Sequence, residues 1–392
     1  MKTIYAVSGS GAVGEYPLDP ATWSGSSAFF FREIEKRGKL SGTIGGEIPT
    51  WQKAMYALMN YSRNFMVMRE RTYMDVRYRN ALSKFLAKQV KTTDFKPDSV
   101  SIQLGSMFNL NEFLGDQCLR TSYNDGNFYM LLQSPYFPRK HFSQKKIDAA
   151  LQYEKNVLDG MQMIFTMSEY LRQSFINDFG QPAGKVFCIG AGININESVI
   201  QEIANADNSS KRYDTQEILF IGVDFQRKGG KCLLSAFRKV RSVFPQAVLQ
   251  IVGPSKPLEG FEAESGVVWN GFLNKNNPQE SEKLTNIFNR VSLFVMPSIY
   301  EPFGIAPLES QLRSIPCLVS NRWALPEVVQ EGKTGELVEP GNEEMLAEKM
   351  IHLLRNPDIL QTYGTAGKSW VLDHFLWNKV VDRLEVCLNR SV

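Results

Sequence analysis

Histidine is scarce in this chain, and the three present, His141, His352 and His374, never stand at metal-ligand spacing. There is no Asp-x-Asp triplet to hold a divalent cation, so no metal and no bound cofactor are expected. The five cysteines, Cys118, Cys188, Cys232, Cys317 and Cys387, are odd in number and contain no Cys-x-x-Cys pair. That pattern excludes a disulfide framework and predicts a reducing, cytoplasmic setting. Long apolar runs are missing too: no window approaches 18 residues, and Ile4–Val7 is too short for a signal-peptide core, so neither a membrane span nor secretion is expected. Nor does one charge sign dominate, since a net charge of +3 is too small for nucleic-acid binding along the whole chain.

What is present is the composition of an α/β protein. With 392 residues, 43% hydrophobic and 22% charged, the chain has material for about two cores. Strands read at Ile4–Val7, Val100–Leu104, Met163–Phe165 and Lys185–Ile189. Helices such as Gln144–Gly160 and Glu169–Phe179 alternate with them, as in parallel α/β domains. The stretch 196–215, rich in Asn, Asp, Ser and Ala, reads as the linker. The expected domains are 1–195 and 196–375, with a last helix over 376–392.

The most informative stretch is Glu301-Pro-Phe-Gly-Ile-Ala-Pro-Leu-Glu309, two carboxylates eight positions apart just after the apolar run Val291–Met296. A turn at the carboxyl end of a strand is where open α/β sheets bind ligands. Free amides at a helix N-terminus attract phosphate, and a carboxylate accepts bonds from vicinal hydroxyls. An isolated pair of this kind reads equally as a loop and a solvated helix face. Here it follows Ile218-Leu-Phe-Ile-Gly222-Val-Asp-Phe-Gln-Arg227-Lys228-Gly229-Gly230, a strand, a loop and the opening of a helix. Arg227 and Lys228 stand at its mouth to neutralise a diphosphate, and two glycines let the helix approach it.

Together with Leu249-Gln-Ile-Val-Gly253-Pro254, Trp269-Asn-Gly271-Phe272, Leu325-Pro-Glu327 and Gly332-Lys-Thr-Gly335-Glu-Leu-Val-Glu-Pro-Gly341, these elements form an ordered series. It resembles the family-4 retaining glycosyltransferases of GT-B fold, often called group 1, through most of the C-terminal half. The resemblance implies two Rossmann-like domains facing across a cleft, with the C-terminal helix crossing back to the first. It further implies transfer of a sugar from a nucleotide-diphosphate donor to an acceptor hydroxyl of a glycan, a lipid-linked glycan or a small molecule. Lys228, with Arg227 beside it, would bind the diphosphate; Glu301 would contact the transferred sugar and Glu309 the ribose. Phe303, Gly304, Ile305 and Ala306 would meet sugar and phosphates, and Gly271, Phe272 and Leu273 the base. Gly222 and Gly25 complete the donor side.

Two departures stand out. Many members carry Arg after the glycine of the first C-domain strand, where this chain has Gly222-Val223. Many also place a His in the N-terminal domain near the sugar. The nearest counterpart here is Tyr123-Asn124-Asp125-Gly126, which makes Asp125 the candidate acceptor of a hydroxyl bond, although Asn-Asp-Gly is also a common turn. Two other classes stay open: a sugar-nucleotide epimerase of the same architecture, and a scaffold with a decayed donor site.

The N-terminal half contains a decoy. Gly9-Ser-Gly11-Ala-Val-Gly14 spells a dinucleotide fingerprint, but Pro17 and Pro20 break the helix that fingerprint needs. The helix start is expected later, capped by Ser24 or Ser26 with Gly25 at its mouth, and the loop Gly9 to Trp23 precedes it. Between Arg63 and Lys91, eight basic residues (Arg63, Arg69, Arg71, Arg77, Arg79, Lys84, Lys88, Lys91) face two acidic ones, Glu70 and Asp75. They read as one basic amphipathic helix, either a core stripe with a solvated face or a peripheral contact with the inner face of a membrane.

Overall fold

The structure, a computed structural model, describes residues 2–9, 25–206 and 211–390. Most of the Gly9–Trp23 loop, Ser24 and part of the 196–215 stretch therefore lie outside the described residues. The chain divides into two compact units, Met1–Gly192 with Trp377–Val392, and Ile193–Leu376.

The first unit carries β1 (Thr3–Ser8), β2 (Leu40–Gly45), β3 (Ser99–Leu104), β4 (Leu119–Asn124), β5 (Met163–Thr166) and β6 (Val186–Cys188), in the order β2-β1-β3-β4-β5-β6. The second carries β7 (Glu217–Ile221), β8 (Val248–Val252), β9 (Val267–Trp269), β10 (Leu293–Met296), β11 (Cys317–Ser320) and β12 (Gly335–Val338), in the order β12-β11-β10-β7-β8-β9. Every pairing in both sheets is parallel. β3, β5, β10 and β11 are buried along their whole length. β5, β10 and β11 accordingly read as near-continuous apolar runs, whereas β3 alternates Val100, Ile102 and Leu104 with buried Ser99, Ser101 and Gln103.

The helix Trp377–Asn389 belongs to the first unit, where its amphipathic face buries Val380, Val381, Leu384 and Leu388. Trp377 packs against Phe30, and a Cβ on Gly192 would fall 2.6 Å from the indole, so only glycine fits there. Arg383 donates to the Ile189 carbonyl at 2.6 Å, and Arg37 and Lys39 pair with Asp382 and Glu385.

Three local expectations change. Ser26 is the first helical residue, not a cap: helix Ser26–Lys36 starts from Gly25 at φ 95°, with no side-chain cap. A left-handed N-terminus suits glycine. The stretch read as a linker holds the helix Glu197–Asn205, whose Val199, Ile200 and Ile203 are half-buried, and which packs on the helix Ile305–Leu312. The basic stretch is two helices, Phe65–Met74 and Val76–Val90, because Asp75 turns extended and caps the second through the amide of Arg77. Burial alone would raise the Asp75 carboxyl, but hydrogen bonds from Arg77 and Asn60 outweigh it and hold it at about 2. Tyr78, Leu82, Leu86 and Val90 of the second helix go into the core, and so does Arg79, whose Nε donates to the Tyr73 carbonyl.

Candidate functional site

In the second sheet β7 and β10 are neighbours, while the chain leaves β7 toward β8 and β10 toward β11, on opposite sides. Such a switch point opens a crevice at the carboxyl ends of the strands. The loops that meet there are laced through backbone: Gly222 N–H donates to Val252 and Gly253 N–H to Gly271, at 2.9 and 2.8 Å. Beyond β7 the chain turns on Asp224, whose carboxylate accepts from the Arg227 amide at 3.1 Å. It reaches Gly229 at φ 76°, the left-handed cap of helix Gly230–Val243. A Cβ on Gly229 would lie 1.9 Å from the Pro297 carbonyl oxygen, so the exit of β10 presses directly on this turn. The Ile299 amide donates to the Arg227 carbonyl at 2.9 Å and fastens the two loops.

This packing positions the charged groups. The Lys228 stem lies over Gly222, where a Cβ would come within 2.2 Å of its Cδ. Its ammonium reaches Glu301 Oε2 at 3.0 Å and Met296 Sδ at 3.5 Å. The contact with Glu301 is an ion pair without hydrogen-bond geometry, and Oε2 keeps its acceptor capacity although the residue is buried. Arg227 is more committed. It donates to the Tyr300 carbonyl at 2.7 Å and lies 3.5 Å from Asp224 and 3.6 Å from Glu301, so it ties the two loops together besides supplying charge.

From Glu301 the chain passes buried Phe303 and turns at Gly304, φ 106°, into helix Ile305–Leu312. The first amides of a helix have no partner within it, and Pro307 has none to offer, so the N–H groups of Ile305 and Ala306 head this turn. Four residues along the same helix Glu309 is buried, and Lys275 Nζ donates to its Oε1. Lys275 follows the loop of Gly271, at φ 69°, Phe272, 61% exposed, and buried Leu273.

One corner of the second unit thus gathers Lys228, Arg227, Glu301, Gly222, Gly304, Ile305, Ala306 and Phe303, with Glu309 linked through Lys275 to the Gly271–Leu273 loop. Asp125 and Gly25 belong to the first unit. Asp125 directly follows β4, and the adjoining turn is fixed by Glu154, which accepts from the Phe128 amide at 2.9 Å and from the Ser106 hydroxyl. Sequence reasoning missed Lys275, Asp224 and Tyr300. The one available signal was that Lys275 stands two positions past the Gly271–Leu273 loop. Val223, where a cation was expected, is 67% exposed at the mouth of the crevice. Among the described residues no cluster of His, Cys, Asp or Glu could hold a metal ion.

The second unit carries a sequence match: residues 202–370 fit the family described as Glycosyl transferases group 1. Alpha-maltose-1-phosphate synthase of Mycolicibacterium smegmatis is 32% identical over 128 residues, 31% of this chain and 32% of that protein. GDP-mannose-dependent alpha-(1-6)-phosphatidylinositol monomannoside mannosyltransferase of Mycobacterium tuberculosis is 26% identical over 243 residues, 59% of this chain and 62% of that protein. The chain thus spans less than two thirds of these relatives' length. Similar solved folds are sucrose-phosphate synthase from Thermosynechococcus elongatus, with TM-score 0.69, 17% identity and 100% and 99% of the two chains covered. HepE of Anabaena in complex with UDP and glucose is another, with TM-score 0.59, 16% identity and 99% and 100% covered.

Proposed function

We propose that this chain, which belongs to the group 1 glycosyltransferases through residues 202–370 and has the GT-B fold, moves a sugar from a nucleotide-diphosphate donor to an acceptor hydroxyl with retention at the anomeric carbon. The observation that carries this reading is the convergence of Lys228 and Glu301, 3.0 Å apart, on the crevice between β7 and β10. A glycine-capped helix opens on each side of it, at Gly229 and at Gly304.

In this reading the diphosphate lies on Lys228 and the amides of Ile305 and Ala306, where the helix dipole adds roughly half a positive charge. Glu309 accepts the ribose hydroxyls, Phe272 offers an exposed ring to the base, and Glu301 Oε2 accepts a hydroxyl of the sugar to be transferred. As the bond from the anomeric carbon to the diphosphate oxygen breaks, its electron pair passes to that oxygen. Lys228 and the amides stabilise the developing charge, the preorganised electrostatics that usually provides the largest catalytic contribution. The acceptor oxygen bonds to the anomeric carbon from the face the phosphate leaves, and its proton passes to the departing phosphate oxygen. No metal is required in this scheme. The acceptor is a hydroxyl of a glycan or of a lipid-linked glycan, and the enzyme works in the cytoplasm.

Thermal denaturation with UDP-, GDP-, ADP- and TDP-sugars tests the donor site, since a ligand at ~100 times its dissociation constant adds about 2.7 kcal/mol. One nucleotide should stabilise the protein, and slow release of free sugar should follow without acceptor and in the presence of EDTA. Proton NMR of the first product should show the donor's anomeric configuration. Failure of every sugar nucleotide to stabilise the protein would make the decayed-site scaffold the better account.

A further inference from the structure

The helix Thr50–Met59 is built inside out. Trp51, Met55 and Leu58 stand at i, i+4 and i+7, with Met59 beside Leu58, and this apolar stripe faces solvent: Trp51 is 65% and Leu58 76% exposed, and no residue of the helix is fully buried. The inner face holds Tyr56, which packs edge-on against Tyr78. An amphipathic helix of a folded domain normally turns its apolar stripe inward. The neighbouring helix Phe65–Met74 packs beside it and adds Phe65, 66% exposed, and Tyr73 to the same surface.

Cations surround this patch. Arg71 donates to the carbonyls of Tyr61 and His141, which brings the exposed Arg139–His141 turn alongside. Lys146 reaches Asn60 at 3.3 Å, and Arg63 and Arg69 flank Phe65 on the chain. The acidic residues here are engaged: Glu47 with Lys53, Glu70 with Arg69, Asp75 with Arg77. The charge left over is positive.

We propose that the paired helices Thr50–Met59 and Phe65–Met74 are a docking surface for a bilayer with anionic headgroups, with Trp51, Leu58 and Phe65 entering the acyl boundary and the surrounding cations lying on lipid phosphates. Apolar side chains on one face with Lys and Arg about them are what an interfacial helix needs. A second copy of the chain fits less well. A two-fold contact presents the same patch to itself, so its cationic rim would face a second cationic rim around an apolar centre. The surface differs from the single basic helix over 63–91, because the second half of that stretch faces the core and Thr50–Met59 supplies the insertion.

Pelleting of the full chain with phosphatidylcholine vesicles, with and without phosphatidylglycerol, tests this. The protein should pellet with the anionic vesicles alone and be released by salt. The exposed pair Leu58→Glu with Phe65→Glu should weaken binding by at least about tenfold, while melting and nucleotide response stay those of the parent. Arg63→Glu with Lys140→Glu should weaken it to a similar extent, since each basic residue near an anionic surface contributes roughly fivefold. Absence of binding to any vesicle, or binding that the Leu58 and Phe65 variant retains, overturns the proposal. A dimer in sedimentation equilibrium that becomes monomeric in that variant overturns it as well and gives the face to a second copy.

Discussion

Replacing Lys228 by alanine separates two effects that the geometry keeps apart. In the free protein the ammonium is one of two cations on Glu301, the other being Arg227 at 3.6 Å. Its removal leaves the carboxylate partnered by Arg227, so the loss of stability should stay below the roughly 3–5 kcal/mol that stripping a buried charge of its partner costs. Catalysis has no such reserve. Arg227 is fixed by the Tyr300 carbonyl and Asp224, and the position of Val223 holds no charge. Loss of a preorganised donor to a developing oxyanion typically costs ~10²–10³ in turnover, about 2.7–4 kcal/mol. The affinity for the nucleoside diphosphate should fall by roughly 10–150-fold, the range of a charge-assisted hydrogen bond. Initial rates of donor hydrolysis or transfer, dissociation constants by calorimetry and a thermal melt in the same buffer are the assay. A folded Lys228→Ala protein that turns over within a factor of about five of the parent would refute the assignment.

Glu309→Ala should weaken nucleotide binding by about 10²-fold through two charge-assisted bonds to the ribose, while inorganic diphosphate competes as before; equal loss for both ligands would place Glu309 elsewhere. Gly229→Ala and Gly271→Ala share the left-handed backbone strain of ~1–2 kcal/mol, but only the first drives a Cβ into a backbone carbonyl. Urea unfolding should therefore find Gly229→Ala worse by at least about 2 kcal/mol, and equal costs would mean that the β10 exit yields freely. The Asp75 carboxyl sits at about 2 in the folded protein against an ordinary 3.8, so its contribution is complete above pH 3.8 and is lost as pH falls toward 2. After solvent screening that is about 1 kcal/mol. The stability gap between the parent and Asp75→Asn should close over that window, and a gap unchanged at pH 2 would mean that packing, not charge, maintains it.

The elements that could be read from the chain are those whose cause is local. β10 is four apolar residues in a row because both faces of its sheet are covered, and the Arg227–Gly230 and Glu301–Glu309 segments keep charge and glycine within a few residues of a strand end. Where two interactions compete, composition misled. The 196–215 stretch is polar overall, yet Val199, Ile200 and Ile203 share one helical face that packs on Ile305–Leu312. Arg63 to Lys91 has helical periodicity throughout, yet the Asp75 side chain offers the Arg77 amide a better partner than helix continuation does. Thr50–Met59 shows an apolar stripe in the sequence, but no periodicity says whether a stripe turns inward.

The corner around Lys228 and Glu301 shows the same division in its charges. Lys228 and Glu301 lie far apart in the chain, and what joins them is the order of the sheet, with β7 beside β10. Once that order is set, Gly222 and Gly229 become obligatory: one is covered by the Lys228 stem, the other is pressed by Pro297. Arg227 then has a task that its place in a basic dipeptide could not reveal, because its carbonyl and guanidinium both bind the loop leaving β10. An Arg227→Lys protein keeps the charge but loses the planar donor that spans Tyr300, Asp224 and Glu301. In the proposed reading the glycines leave room for a phosphate, Arg227 holds the two loops together, and Lys228 is the cation left to meet the diphosphate.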